Sequence, residues 1–179
     1  MQTMIMAAGL GARLGKMTEA TPKALIEVAG RTLIDRALEF AAQTGAETRI
    51  VVGGFCFADL AAHVREIAPD AVLVENERYR LGNLISFEVG AQQLKPGGFL
   101  LMNTDHIYPP AIAEIVARTA AEATEVTAFC DFDRRLGLDD MKVQLGPNRH
   151  VVNMSKQLER WAASRWACRP SAGTYVIPT

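Results

Sequence analysis

The residues near the amino terminus combine glycines with two positive charges. Residues 7–15 read Ala-Ala-Gly-Leu-Gly-Ala-Arg-Leu-Gly and follow a short apolar run at residues 4–6. Glycines directly after a strand let the backbone approach a ligand closely, and its N–H groups can then bind phosphate oxygens. Arg13 and Lys23 supply the positive charge that a triphosphate requires, and the intervening loop is long enough to fold both over one site. These residues predict a pocket for a nucleoside triphosphate.

Two well-known glycine motifs do not fit this loop. A dinucleotide fingerprint, G-x-G-x-x-G, would need glycine at position 14, which is Leu14, and no helical pattern opens there. A P-loop would need Ser or Thr after Gly15-Lys16, but Met17 follows. An NAD(P)-linked enzyme of Rossmann type is therefore disfavoured, and an ordinary glycine turn would leave the two cations unexplained.

Three segments together resemble the signature of nucleotidyltransferases that act on sugar phosphates, the MobA-like NTP transferases. They are Ala7-Ala8-Gly9-x-Gly11-x-Arg13, Pro22-Lys23, and Val-Ala-Gly-Arg-Thr-Leu-Ile at residues 28–34. Two later stretches resemble the cytidylyltransferases for inositol-1-phosphate and phosphocholine. One is Asn76-Glu77-Arg78-Tyr79 with Asn83 and Ser86, and the other is Asn-Thr-Asp-His-Ile-Tyr at residues 103–108. The resemblance extends from residue 3 to about residue 158.

The resemblance implies a transfer reaction that releases pyrophosphate. A nucleoside monophosphate, with CMP from CTP favoured, would move onto a small phosphorylated alcohol such as inositol-1-phosphate, phosphocholine or a sugar-1-phosphate. Because nucleophile and leaving group are both anions, positioning and charge neutralisation supply most of the catalysis. A general base is not required, since a phosphomonoester is already ionised near pH 7. Mg²⁺ is the expected cofactor, held by a carboxylate and bridging phosphate oxygens.

The resemblance also assigns roles to individual residues. Arg13 would neutralise the β- and γ-phosphates, and Lys23 would bridge the α-phosphate and the incoming phosphate, with Lys16 nearby. Asp105, after an apolar strand, is the expected metal ligand; from the residues alone it could equally cap a helix ahead of Pro109-Pro110. The expected nucleotide-binding residues are Ala7, Ala8, Gly9, Gly11, Asn83 and Ser86.

The acceptor side is expected late in the chain. Lys142 and Lys156 resemble lysines that hold the acceptor phosphate in the inositol and sugar enzymes. Aspartates could instead bind polyol hydroxyls or a choline cation, and a choline site would need aromatic side chains around it. The candidate aspartates are Asp131 and Asp133, and the candidate aromatic residues are Trp161, Trp166 and Tyr175. Residues 131–143 resemble the inositol enzymes more than the choline enzymes.

The composition predicts an ordinary globular domain of the cytoplasm. The chain has 179 residues, of which 49% are hydrophobic and 22% charged, and its net charge is −1. This charge offers no general attraction to nucleic acid, so phosphate affinity must be local. Three widely spaced cysteines argue for reduced thiols rather than a disulfide framework. No apolar run is long enough for a membrane span, and the oligomeric state stays open.

Strand-like and helix-like segments alternate along the chain, which predicts an α/β fold. Because the apolar strands do not themselves alternate, we expect a three-layer, Rossmann-like, mostly parallel sheet with helices on both faces, in a single domain of residues 1–179. The predicted strands are 3–6, 49–52, 71–74, 99–102 and 125–130, and the predicted helices are 33–41, 59–67, 84–94 and 110–121. Residues 142–154 predict a small antiparallel hairpin with a Gly-Pro-Asn turn.

One feature of the family pattern is missing. Relatives commonly supply a second metal-binding aspartate from a later strand, whereas no aspartate follows Asp140 here. The sequence leaves three explanations open: a truncated chain, an altered reading frame near its end, or metal binding by Asp105 and nucleotide alone. The alternative function is therefore a catalytically weak or inactive nucleotide-binding relative.

Overall fold

The chain forms two compact units. The computed structural model describes residues 1–9, 11, 15, 20–130, 140–146 and 150–158, together with the backbone of two short strands at 167–168 and 175–177. The first unit comprises Met1–Thr127 with Thr174–Thr179, and the second comprises Ala128–Gly173. Predictions that fall on residues outside the described ranges stay predictions.

The elements follow the alternating pattern. The strands are β1 (Gln2–Met6), β2 (Glu27–Val28), β3 (Arg31–Thr32), β4 (Thr48–Gly53), β5 (Val72–Glu75), β6 (Phe99–Asn103), β7 (Thr127–Ala128), β8 (Lys142–Leu145), β9 (Val151–Ser155), β10 (Ala167–Cys168) and β11 (Tyr175–Ile177). The helices are α1 (Leu33–Gln43), α2 (Phe57–Ile67), α3 (Asn83–Ala91) and α4 (Ala113–Glu122), with 3₁₀ turns at Lys23–Leu25, Tyr79–Leu81 and Pro110–Ile112. Within the described part of the chain, no helix has the length and apolar character to cross a membrane.

A six-stranded sheet forms the centre of the first unit, in the order β5-β4-β1-β6-β11-β7. The four strands β5, β4, β1 and β6 run parallel, and β11 pairs antiparallel with β6. In this register Met4 lies between Ile50 and Leu101, and Ile5 lies between Val51 and Met102. The predicted Rossmann-like, mostly parallel sheet is confirmed.

Helices cover both faces of the sheet. On one face Met4, Ile50, Val52 and Phe99 form a buried cluster against which Phe87 of α3 packs. The next residues along each strand point to the other face, because side chains alternate along a strand. A methyl group added at Gly53 on that face would meet the side chains of α2, including Leu60. The strands are therefore buried on both sides, which explains their unbroken apolar sequences.

Local sequence signals account for the ends of α1. Thr32 caps the helix: its hydroxyl accepts from Asp35 N–H at 3.1 Å, and the Asp35 carboxylate accepts from Thr32 N–H at 3.2 Å. This reciprocal pair satisfies two amide groups that the first turn leaves unpaired. At the other end Gly45 has a φ of +79°, the left-handed conformation that commonly ends a helix.

Two predicted element boundaries need correction, and one short hairpin was not predicted. The predicted strand 125–130 is reduced to Thr127–Ala128, and exposure of the Val126 side chain shows that its apolar residues gain little burial there. Helix α3 ends at Ala91 rather than at residue 94. A short hairpin, β2–β3, was not predicted; its turn places Ala29 and Gly30 at φ values of +50° and +74°, as a two-residue hairpin turn requires.

The second unit contains the late hairpin. Strands β8 and β9 pair antiparallel, with Lys142 opposite Ser155 and Val143 opposite Met154, and β10 pairs with the other edge of β8. Val143 is fully buried. The predicted antiparallel hairpin is thus confirmed, while the three central turn residues, 147–149, lie outside the described residues.

A hydrogen bond between Asp35 and His63 ties the first turn of α1 to α2. The His63 Nε2 atom lies 2.7 Å from Asp35 Oδ1, and both side chains are partly buried. Burial by itself raises the pKa of Asp35, but the hydrogen bonds from His63 and Thr32 outweigh it and leave the pKa below its usual value. The ionised carboxylate is therefore the form that the fold stabilises.

Asp35→Asn should lower the free energy of unfolding at pH 7 by about 1 kcal/mol, because a charged hydrogen-bond acceptor becomes neutral. The pKa of the Asp35 carboxyl is lower in the folded state than in the unfolded state. Its contribution to stability is therefore fully present above the unfolded pKa of about 3.9 and is lost as the pH falls through the folded pKa. Urea unfolding between pH 7 and pH 3 measures the difference from wild type. Asp59→Asn, an exposed acid in the first turn of α2, is the control. A difference that stayed constant with pH would contradict the assignment.

Candidate active site

Backbone hydrogen bonds hold three loops together at the carboxyl edge of the sheet. Ala7 N–H donates to Val52 O at 2.8 Å, Asn76 N–H donates to Gly53 O at 2.9 Å, and Thr104 N–H donates to Met6 O at 3.2 Å. Each bond continues the pairing of the parallel strands by one residue. The loops after β1, β5 and β6 therefore leave the sheet at defined positions, at the edge where parallel α/β sheets bind ligands.

A pocket opens between these loops. Seven residues predicted for the site line it: Ala7, Ala8, Gly9, Lys23, Asn83, Ser86 and Asp105. Met6, Asn103 and Thr104 complete the lining. None of these three was predicted as a site residue, although Asn103 and Thr104 lie inside the Asn-Thr-Asp-His segment. The sequence signal that could have identified these two is their position directly ahead of Asp105, at the end of a buried strand. The individual roles of the seven predicted residues stay predictions.

Lys23 and Asp105 form an ion pair in this pocket. The Lys23 Nζ atom donates to Asp105 Oδ2 at 2.8 Å, across 82 residues of sequence. Lys23 begins a 3₁₀ turn after Pro22, and Ala24 within the turn is fully buried. Burial of Ala24 fixes the backbone, so that the lysine side chain extends over the pocket. With side-chain exposures of 27% and 41%, the pair is accessible to water, and such pairs contribute only about 0–1 kcal/mol.

Asp105 is held in its ionised form. The His106 Nδ1 atom lies 3.0 Å from Asp105 Oδ1, although without the alignment of a regular hydrogen bond. This contact is the largest influence on the Asp105 carboxyl, followed by burial, which opposes it, and by Lys23. The sum lowers the pKa of Asp105 far below its usual value. The pocket therefore presents a carboxylate, not a carboxylic acid, at neutral pH.

Aromatic packing fixes the loop that carries Asp105. The Tyr108 ring stacks on Phe40 of α1 with a centroid distance of 4.7 Å, and its hydroxyl donates to Asn103 O at 3.3 Å. The Thr104 hydroxyl donates to Met6 O at 3.2 Å. Contacts on both sides of Asp105 therefore hold its backbone against α1 and β1.

Gly54 lies close to both the glycine-rich loop after β1 and the turn at Tyr79. A Cβ atom at this position would lie 2.5 Å from Tyr79 Cβ and 3.1 Å from Ala8 Cβ. Both neighbours are the stiff beginnings of side chains, so neither can move aside without a backbone shift. The glycine-rich loop after β1 and the turn at Tyr79 can therefore both lie this close to residue 54 only because it lacks a side chain.

Some predicted site residues cannot be placed in the pocket. Arg13 and Lys16 lie outside the described residues, as do Asp131, Asp133, Trp161 and Trp166 and the side chain of Tyr175. Gly11 is described and has a φ of +63°. Lys142 and Lys156 belong to the second unit, where Lys142 Nζ donates to Lys156 O at 2.6 Å. The acceptor-binding role of these lysines stays a prediction.

The donor set of the pocket is compatible with Mg²⁺ bound together with a nucleotide. Mg²⁺ prefers oxygen ligands and is usually held by one or two carboxylates plus substrate phosphates. Asp105 supplies one ionised carboxylate. Within the described residues no cluster of three or more His, Cys, Asp or Glu side chains could hold a metal ion. The pocket therefore fits a metal ion that would take its remaining ligands from phosphates and water.

The fold and the position of the pocket define a Rossmann-like α/β domain with an open pocket at the carboxyl edge of its parallel sheet. The chain belongs to the MobA-like NTP transferase domain family, whose model matches residues 3–171. This is a family of nucleotidyltransferases, and its members similar to this chain include cytidylyltransferases that act on phosphorylated substrates.

Individual relatives agree with this assignment. The chain is 33% identical over 114 residues to a 2-aminoethylphosphonate cytidylyltransferase of Lancefieldella rimae, covering 60% of this chain and 46% of the relative. It is 30% identical over 164 residues to a bifunctional IPC transferase and DIPP synthase of Thermococcus kodakarensis, covering 90% of this chain and 35% of the relative. The matched region thus spans less than half of each curated relative.

A solved structure shows the same fold. The inositol-1-phosphate CTP transferase from T. maritima superposes with a TM-score of 0.79 at 21% sequence identity, over 99% of this chain and 70% of the other. The family resemblance inferred from the amino-terminal motif is confirmed by the family match and by these relatives.

Gly54→Ala should lower the free energy of unfolding by about 1–3 kcal/mol, because the new methyl group overlaps Tyr79 and Ala8. Gly9→Ala is the matched control: a Cβ atom there meets nothing within 4 Å, so the change should stay within about 0.5 kcal/mol. Urea unfolding measures both variants. Equal stability of the two would show that the contact at Gly54 does not constrain the loops.

Proposed function

We propose that this protein transfers a nucleoside monophosphate, with CMP from CTP favoured, onto a small phosphorylated acceptor and releases pyrophosphate. One observation supports the proposal above all: a single pocket joins an ionised carboxylate, a lysine ammonium and the backbone of the glycine-rich loop. The ammonium group and the backbone N–H groups can meet the negative charge of a triphosphate directly, and the carboxylate would contribute by holding Mg²⁺.

The glycine-rich loop binds the phosphate chain in this proposal. Ala7 and Ala8 are buried and small, and open space surrounds the position of a missing Cβ at Gly9. A ligand can therefore approach the main chain at Gly9 without meeting a side chain. Arg13, which the family resemblance places on the same phosphates, completes the proposed site.

Lys23 changes partner when the nucleotide binds. In the free protein its ammonium group neutralises Asp105 at 2.8 Å. Because this pair is exposed to water, its loss costs little, and the lysine can turn to the α-phosphate and the incoming acceptor phosphate. Bound Mg²⁺ would supply charge neutralisation at the phosphates. Asp105 would hold it there, since an aspartate is ionised near pH 7 with or without a lysine beside it.

The acceptor is proposed to be a small molecule with a terminal phosphate or phosphonate. One relative is named a 2-aminoethylphosphonate cytidylyltransferase, and the similar solved structure is that of an inositol-1-phosphate CTP transferase. Phosphocholine and sugar-1-phosphates complete the set of acceptors that the family resemblance implies. Each carries an anionic oxygen that can attack phosphorus without a general base.

A panel of nucleotides and acceptors tests the reaction. Thermal shift with CTP, UTP, GTP, ATP and dTTP, each with Mg²⁺, should show the largest stabilisation with CTP. A pyrophosphate assay with CTP should then give turnover with at least one of inositol-1-phosphate, phosphocholine, a sugar-1-phosphate and 2-aminoethylphosphonate. Binding of a triphosphate without product over long incubation would instead identify a nucleotide-binding relative that has lost catalysis.

Lys23→Ala should lower kcat/KM for pyrophosphate release by about 10²–10³-fold, since it removes a preorganised cation from the charge that develops in the transition state. Asp105→Ala should reduce turnover below detection. Lys95→Ala removes an exposed lysine that lies between α3 and β6 and should leave the rate unchanged. Wild-type turnover in both site variants would show that this pocket is not the catalytic centre.

A further inference from the structure

Asn76 forms a buried hydrogen-bond network beside the pocket. Its exposure is 1%, and its main chain is fixed at both ends: N–H donates to Gly53 O at 2.9 Å, and C=O accepts from Tyr79 N–H at 3.2 Å. Its side chain accepts from Arg78 N–H at 2.9 Å and donates to Ser86 Oγ at 2.9 Å. One residue thus connects the end of β4, the turn before α3 and α3 itself.

The orientation of the Asn76 amide follows from these partners. A backbone N–H can only donate, so the side-chain atom that faces Arg78 N–H must be the carbonyl oxygen. The other atom, which faces Ser86, must then be the NH₂ group. Ser86 Oγ therefore accepts from Asn76, and the serine's own proton points elsewhere.

Ser86 lines the pocket although only 2% of the residue is exposed. Among the described residues, the side chain that is hydrogen-bonded to the Ser86 hydroxyl group is that of Asn76. Asn76 occupies one of the two acceptor positions of Oγ, so the serine proton is directed away from Asn76 and is available to a ligand in the pocket. We infer that Asn76 is a positioning residue: it fixes Ser86 as a hydrogen-bond donor toward an acceptor atom of the bound nucleoside. This inference rests on the proposed nucleotide binding.

The physical consequence is selectivity by hydrogen-bond polarity. A serine proton directed away from Asn76 favours a ligand that places a carbonyl oxygen or an unprotonated ring nitrogen at Ser86 over a ligand that places an N–H there. Because Asn76 is almost fully buried, water does not compete for its amide, and the orientation persists in the free protein. Asn76 itself does not line the pocket; it acts through Ser86.

A double-mutant cycle tests this role, with the dissociation constant of Mg²⁺–CTP measured by calorimetry for wild type, Asn76→Asp, Ser86→Ala and the double variant. Asn76→Asp keeps the acceptor for Arg78 N–H but turns the donor that faces Ser86 into an acceptor, so the serine proton is withdrawn from the ligand. Each single change should weaken binding roughly fivefold to tenfold. The double variant should bind no more weakly than Ser86→Ala. Gln93→Glu, the same chemical change at an exposed position after α3, should bind like wild type.

A purely structural role of Asn76 would give a different pattern of dissociation constants in this cycle. Multiplying losses in the double variant, or wild-type affinity in Asn76→Asp, would overturn the positioning role while leaving nucleotide binding intact. If wild type itself bound none of the five triphosphates, the proposed function would fall together with this inference. Should a buried carboxylate prevent folding, Asn76→Ser replaces Asn76→Asp: it retains an oxygen for Arg78 N–H but cannot reach Ser86, and it should weaken binding about twofold to threefold.

Discussion

Strand β1 lies between β4 and β6, and hydrogen bonds to both neighbours determine where the loops after β1 and β6 begin. Its register with these strands brings the residues after Met6, Val52 and Asn103 to the same edge. Three backbone bonds extend the pairing into the loops themselves. Because parallel strands end together, residues from segments that are far apart in sequence share one pocket. Without this alignment, neither Lys23 nor Ser86 would lie near Asp105.

The pocket keeps its charged groups in a form that a ligand can use. Asp105 is ionised through its contacts with His106 and Lys23, and the latter pair is open to water. A deeply buried pair would resist separation, whereas an exposed pair exchanges partners at small cost. The buried interactions lie one layer behind: the stacking of Tyr108 on Phe40 and the hydrogen bonds of Asn76. The exposed groups of the site can therefore change partners, while the buried contacts behind them keep the surrounding backbone rigid.

The elements that sequence reasoning located best are those with a strong one-dimensional signal. Helix α1 carries a capping threonine at its start and a glycine after its end, and the strands β1, β4, β5 and β6 are continuous apolar runs. The hairpin at Ala29-Gly30 was missed because only the tertiary fold forces Ala29 into a left-handed conformation. The segment at 125–130 was overestimated because an apolar sequence does not show whether a covering layer exists, and Val126 is exposed.

The sequence by itself determined the class of fold, the family and most residues that line the pocket, since the glycine loop and the Asn-Thr-Asp-His segment are local patterns tied to strand ends. The tertiary structure alone decided which side chains meet. The ion pair between Lys23 and Asp105 and the contact of Gly54 with Tyr79 and Ala8 join distant segments. The direction of the Asn76–Ser86 hydrogen bond is likewise set by the tertiary structure, because it depends on the position of a third group, the Arg78 N–H. Hydrogen-bond direction is a property of the whole network, and spacing along a chain does not encode it.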